Sequence, residues 1–268
     1  VDGIDVNKAP LSGDFEGATP FYMACNDGHV EVVKALLENG GIDINATPVG
    51  DSIKGWTPLF ASIGGNSCNI ELIQLLLAVD GIDVNKATNR GGSPLGIAIA
   101  NRDEAFVKLL LSHNETDIEY RDADGHTPIF IAAICAADSH DDMPIQHDRI
   151  AMHVRQYENI IATLLLFGAS VSNKCIVEMD DGQNHFLTLH QFMVMSPRSQ
   201  HMPRQTRTRI LGSVRENPSI YKFSTDIIRM VKYREKPSLE LIAKLINEDS
   251  VTCLVMLMNL IKNQYQNV

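Results

Sequence analysis

Four short strings recur along this chain: Gly17-Ala18-Thr19-Pro20, Gly55-Trp56-Thr57-Pro58, Gly91-Gly92-Ser93-Pro94 and Gly125-His126-Thr127-Pro128. Their Thr/Ser positions lie 38, 36 and 34 residues apart. Each is followed by a short run of small and apolar residues: FYMAC, LFASI, LGIAI and IFIAA. A second, amphipathic run comes next: VEVVKALL, IELIQLLL, EAFVKLLL and, after a long gap, ENIIATLLL. The first three units then close on short extended pieces, Ile42-Asp43-Ile44-Asn45, Ile82-Asp83-Val84-Asn85 and Asp117-Ile118-Glu119, and the chain opens on a similar piece, Ile4-Asp5-Val6-Asn7. Thr or Ser offers an N-cap oxygen, and Pro suits the first helical turn, where its missing N–H would be unpaired anyway. The second helix carries Leu, Ile and Val at i, i+3 and i+4, a stripe that needs burial. One such helix pair cannot bury its own apolar face, so the pattern predicts stacked copies, a solenoid.

These motifs closely resemble the ankyrin repeat, whose pattern runs G-x-TPLHxAA, GHxEVVxxLL, GADVN. The likeness covers about residues 4–173 and is nearest in Gly28-His29-Val30-Glu31-Val32-Val33. It implies an all-α solenoid of helix pairs joined by β-hairpin fingers. The expected organisation is ankyrin repeats over 1–200, with a partial N-terminal unit, four clear units and a degenerate fifth. Thr188-Leu189-His190 resembles TPLH without its Pro and marks that fifth unit at about 174–200. Residues 201–268 read as a helical C-terminal cap or a small helical domain, with Pro203, Pro218 and Pro237 at the breaks. Two departures stand out. The family's His of TPLH is replaced by Tyr22, Phe60, Gly96 and Phe130, so aromatic packing is expected in place of its hydrogen bonds. The fourth unit is interrupted by an insertion at about 136–156, with its second helix expected from about Tyr157.

The 268 residues are 44% hydrophobic and 21% charged, which suits a packed core. No apolar run reaches the ~18–20 residues of a membrane span. The first residues, VDGIDVNKAP, carry neither a signal peptide's features nor a starting Met, so a piece cut from a longer protein is expected. Five widely spaced cysteines with no CxxC argue against a disulfide framework or zinc ribbon and suit a reducing cytosol. Charge is divided unevenly. Residues 1–182 hold 27 acidic and 11 basic side chains, residues 183–268 hold 6 and 12.

Chemistry-bearing motifs are weak. The insertion holds His140, Asp141, Asp142, His147, Asp148 and His153, but at no metal-motif spacing, so a solvated loop is the reading and no metal or cofactor is expected. Cys135 lies near these histidines in sequence, yet a small-residue repeat helix is where an inert buried Cys belongs. There is no Walker A or GxGxxG loop. The chain is therefore expected not to be an enzyme. Arg198, Arg204, Arg207 and Arg209 form a possible patch for an anion or acidic peptide, although pairing with the acidic repeats or facing water is the preferred reading. Sparse aromatics and an acidic remainder argue against nucleic acid.

The resemblance implies a protein-binding module that uses its concave face and fingers. Residue-by-residue carry-over puts the contacts at Trp56, Phe15, Glu16, Ile53, Lys54, Asn89, Arg90, Ala123, Asp124 and His126. Trp56, the chain's single Trp, is the leading contact, since Trp is enriched among interface hot spots. Asn45 and Asn85 sit in a context that resembles ankyrin asparagines hydroxylated by the oxygen-sensing asparaginyl hydroxylase, with bracing of the finger turn as the preferred role. Two alternatives stand beside the binding module: the targeting arm of a larger enzyme or adaptor, and an enzyme site formed by the His/Asp insertion with the C-terminal part. The irregular spacing resembles ankyrin proteins that intracellular bacteria deliver into host cells. The expected setting is the cytoplasm, or the host cytosol for a delivered effector, and the expected state is a monomer.

Overall fold

The computed structural model describes residues 7–13, 15–50, 53–65, 69–138, 147–171, 173–178, 184–195 and 210. Each Thr/Ser-Pro string opens a short inner helix: α1 (Pro20–Asn26), α3 (Pro58–Gly64), α5 (Pro94–Ala100) and α7 (Pro128–Asp138). The first three are capped alike. Thr19 Oγ1 accepts from the Tyr22 N–H at 3.2 Å, Thr57 Oγ1 from Phe60 at 3.1 Å and Ser93 Oγ from Gly96 at 3.1 Å. The amphipathic runs form the outer helices α2 (Val30–Asn39), α4 (Ile70–Leu77), α6 (Glu104–Ser112) and α8 (His147–Leu166). Asn69 and Asp103 cap α4 and α6 through their side-chain oxygens. A two-stranded antiparallel hairpin follows, β1 (Cys175–Glu178) and β2 (Asn184–Leu187), with Cys175 opposite Leu187. It leads into α9 (Leu189–Met195), where Thr188 Oγ1 accepts from the Gln191 N–H at 3.3 Å.

Inner helices stack in the order α1, α3, α5, α7, α9, and outer helices in the order α4, α6, α8. The core runs continuously between the two layers. Leu59, Ile63, Leu72, Ile73, Leu76, Ala98, Ile99, Val107 and Leu110 are fully buried there, as are Ala132, Ile160 and Leu164. The alanines on the inner helices let adjacent units approach, and the branched side chains fill the space between layers. Tyr22, Phe60 and Phe130, which replace the family His, are all buried. Among the described residues the Tyr22 hydroxyl has no hydrogen-bond partner, and burial, with Cys25 beside it, pushes the phenol up to about 12.

The interruption in the fourth unit is smaller than expected. Helix α7 runs on to Asp138, and α8 starts at His147 rather than near Tyr157. Much of the expected insertion is therefore an added N-terminal stretch of α8. Val154 on this stretch is buried, and just beyond it the buried Tyr157 donates its hydroxyl to the Ala100 carbonyl at the end of α5, at 3.1 Å.

The extended pieces brace one unit against the next. Asn45 Nδ2 donates to the Gly81 carbonyl at 2.8 Å, and its Oδ1 accepts from the Asp83 N–H at 2.9 Å. Asn85 repeats the clamp on the Glu115 carbonyl at 2.6 Å and the Asp117 N–H at 2.7 Å. Glu119, which departs from the repeat pattern, clamps differently. Its carboxylate accepts from the Ser170 N–H at 2.5 Å and from Asn173 Nδ2 at 2.6 Å. The fingers also stack closely. Gly55 and Gly91 have φ near +80° (80° and 79°), and a Cβ at either would strike the next finger, at Asn89 and Ala123 respectively. Both positions require glycine for conformation and for space.

Candidate protein-binding surface

The caps set where the inner helices begin, and so fix the residue two places before each Pro at the base of a finger. In the second finger that residue is Trp56. Its indole is half-buried and meets Phe60 edge-on, with ring centroids 4.9 Å apart at 60°. Tyr22, Ala18 and Ala61 form a small buried cluster here, against which Trp56, Ile53 and Met23 pack. Trp56 and Ile53, two of the expected contacts, are thus brought together on one apolar base spanning the first two units. Phe15 is 47% exposed on the first finger, and Glu16 is half-buried. The Glu16 carbonyl accepts the Val49 and Gly50 N–H groups at 2.9 and 3.0 Å, tying the first finger to the second. Lys54, Asn89, Arg90, Ala123 and Asp124 are exposed. Asn89 and Ala123 also carry the finger-on-finger contact described above.

In the fourth finger the equivalent of Trp56 is His126, stacked on Phe130 with centroids 5.9 Å apart and planes 4° apart. The ring is held from two sides. Nε2 lies 2.7 Å from the Ile176 carbonyl of the hairpin, and Nδ1 lies 3.5 Å from Asp122 Oδ2. Asp122 Oδ1 accepts from the Asp124 and His126 N–H groups at 3.0 and 2.7 Å, closing the finger turn. Single ligand atoms of Asp122, Asp124 and His126 all lie within 4.8 Å of one another. A cavity of about 570 Å³ opens beside them, with Ile131, Ile134, Cys135, Ile176 and Phe192 in its lining. Of these residues Ala123, Asp124 and His126 were expected from the sequence, and Asp122, Ile176 and Phe192 were not. The alternation Asp122-x-Asp124-x-His126 was the available signal; the hairpin and α9 lie some fifty residues downstream and gave none.

The other candidates separate. Asn45 and Asn85 spend their amides on the clamps between units. Burial pushes the Cys135 thiol up, away from the thiolate that a nucleophile needs. Cys25, Cys135 and Cys175 form no disulfide. Arg198, Arg204, Arg207 and Arg209, the histidine and carboxylates at 140–142 and the expected boundary at 200 lie outside the described residues. Of the expected C-terminal unit only Ile210 is described, and it is buried against the main core.

Among the described residues no helix is long and apolar enough to cross a membrane. No curated protein matches the chain significantly. A family model described as "Ankyrin repeats (3 copies)" matches residues 3–88 and 66–143, just over half of the sequence. Repeats of this kind typically serve general protein–protein interaction, and the matched stretch contains all four Thr/Ser-Pro strings and the inner helices α1, α3, α5 and α7 that follow them. The chain belongs to the ankyrin-repeat family.

Proposed function

We propose that this chain is a non-enzymatic binding module that grips a partner protein with its finger bases and inner helices, and that Trp56 is the principal anchor. The observation that carries this reading is the apolar base of the second finger. Trp56 is seated edge-on against Phe60 and flanked by Ile53 over the Tyr22 cluster, so its position is set before any partner arrives. A large aromatic ring already held in place loses little freedom on binding, which is how hot-spot residues contribute disproportionately. Phe15, on the neighbouring finger, adds an exposed aromatic ring. The raised Cys135 thiol fits a binding role better than nucleophilic catalysis.

The test starts from capture out of a cytosolic extract, with the retained protein identified and then purified for titration. Trp56→Ala is expected to weaken that complex by more than ~2 kcal/mol, roughly thirtyfold in Kd, as truncation of a hot spot does. The melting transition should persist, because Trp56 lies outside the main core. An unchanged Kd removes Trp56 from the interface, and capture of the same proteins by a Phe15/Trp56 double alanine variant removes the whole finger face.

A further inference from the structure

We propose that the cavity at the fourth finger is a receptor for one basic side chain of the partner, arginine by preference, and this rests on the protein-binding reading above. A carbonyl oxygen can only accept, so the 2.7 Å contact between His126 Nε2 and the Ile176 carbonyl places a proton on Nε2. In the tautomer with its proton on Nε2, Nδ1 is an acceptor, and it lies 3.5 Å from Asp122 Oδ2. Asp122 Oδ1 is already committed to two backbone N–H groups, which leaves Oδ2 with unfilled lone pairs. The Asp124 carboxylate joins them, and the three groups converge within 4.8 Å. Two carboxylates and, in that tautomer, an imidazole acceptor therefore face one place.

The cation beside them in sequence does not answer them. Arg121 adjoins Asp122 in sequence, but its guanidinium donates to the Gly125 carbonyl at 2.7 Å and the Lys174 carbonyl at 3.1 Å. Among the described residues no Lys or Arg forms an ion pair with Asp122 or Asp124. The fingers differ at these positions. Where the fourth finger has Asp124 and His126, the first has Glu16 and Ala18, the second has Lys54 and Trp56 and the third has Arg90 and Gly92. A carboxylate recurs in the first finger, and the imidazole beside it belongs to the fourth alone of the four.

Behind the mouth, Ile131, Ile134, Ile176 and Phe192 supply apolar lining. A hydrated metal ion would use the trio and leave these walls idle. An arginine uses both. Its guanidinium carries five donors and no acceptor, and its three-methylene stem covers apolar surface. Lysine offers the same charge as a point, with a more strongly hydrated head.

The probe is N-acetyl-arginine-N-methylamide, added to the full chain labelled at its isoleucine δ1 methyls. Saturable shifts are expected at Ile131, Ile134 and Ile176. The citrulline analogue, which keeps the shape and lacks the charge, should bind at least about tenfold more weakly, the loss expected of a charge-assisted hydrogen bond. Asp124→Asn should erase that preference. Its side chain is exposed, so an unchanged melt will show that the fold is intact. Equal shifts from arginine and citrulline, or none at these methyls, overturn the proposal. So does a response at the same methyls to zinc chloride with arginine silent, which would make the trio a metal site. A silent cavity beside Trp56-dependent capture would leave the binding module standing and remove only this pocket.

Discussion

The second and fourth fingers put different chemistry on one backbone position. Trp56 and His126 both stand two residues before the Pro that opens an inner helix, and both lie against the aromatic residue two places into that helix. Trp56 meets Phe60 at 60° and joins an apolar cluster; His126 lies parallel to Phe130 and is tied by one nitrogen to the hairpin. The bracing behind them diverges in the same way. Asn45 and Asn85 clamp with neutral amides that donate and accept, whereas Glu119 clamps with a carboxylate that accepts twice. The repeat thus supplies a fixed frame, and a few side chains decide whether a finger offers oil or acceptors. The acidic end is also the end where the hairpin replaces a plain finger, so its polarity depends on residues far away in sequence.

The strongest way to break the comparison is through the core that both ends share. Leu76 is fully buried on α4, between the unit that bears Trp56 and the unit that follows it. Leu76→Ala should cost ~2–5 kcal/mol, the transfer loss plus the cavity it leaves. Chemical denaturation followed by circular dichroism measures it. A loss below ~0.5 kcal/mol would mean that the stripe does not carry the stack and that the two ends are stabilised separately.

That stripe was fully legible in the sequence, because a period of 3.6 and a capping Thr-Pro are local signals. The apolar finger base was nearly as legible: Trp56 is the lone Trp at a fixed place in a repeated string. The acceptor mouth was only half so. Asp124 and His126 follow from the repeat register, but Asp122 was not singled out, and the Ile176 carbonyl that Nε2 of His126 meets comes from a hairpin with no repeat signal. The start of α8 was misjudged for a related reason. The register marked where a second helix usually begins, and Val154, an added buried position upstream of that point, does not belong to it. The acidic and histidine-rich text around it looked like a loop, yet from His147 onward it is helical and Val154 within it is buried.

The two kinds of clamp can be compared directly. Glu119→Ala removes the carboxylate that the Ser170 N–H and the Asn173 amide bond in a half-buried setting, and hydrogen bonds to a charged group are the stronger kind. A loss of about 1.5–3 kcal/mol is expected. Asn85→Ala removes two neutral bonds that lie in the open, where water can replace them, and should cost about 1 kcal/mol. Urea melts of the two variants decide the order. If Asn85→Ala proves the more damaging, the carboxylate at Glu119 is a tolerated departure and not a firmer joint.

The smallest effect expected is one of pH, and it reaches the neutral clamp indirectly. His113 caps the end of α6, and its Nδ1 accepts from the Glu115 N–H at 3.4 Å, in the turn whose carbonyl Asn85 grips. Burial lowers the His113 pKa below its ordinary value of 6.5, against the opposing pull of the Glu115 carboxylate. Below about pH 6.5 the unfolded chain therefore binds a proton at this site more readily than the folded one. The folded state loses stability from this group as pH falls through that range, and the loss levels off once the folded imidazole is itself protonated. His113→Asn keeps an acceptor at the turn without a titrating group. The drop in Tm between pH 7.5 and 5.5 should be smaller in this variant than in the parent. Equal drops would show that the turn tolerates imidazolium, and would confine any pH response of the array to its other histidines and its carboxylates.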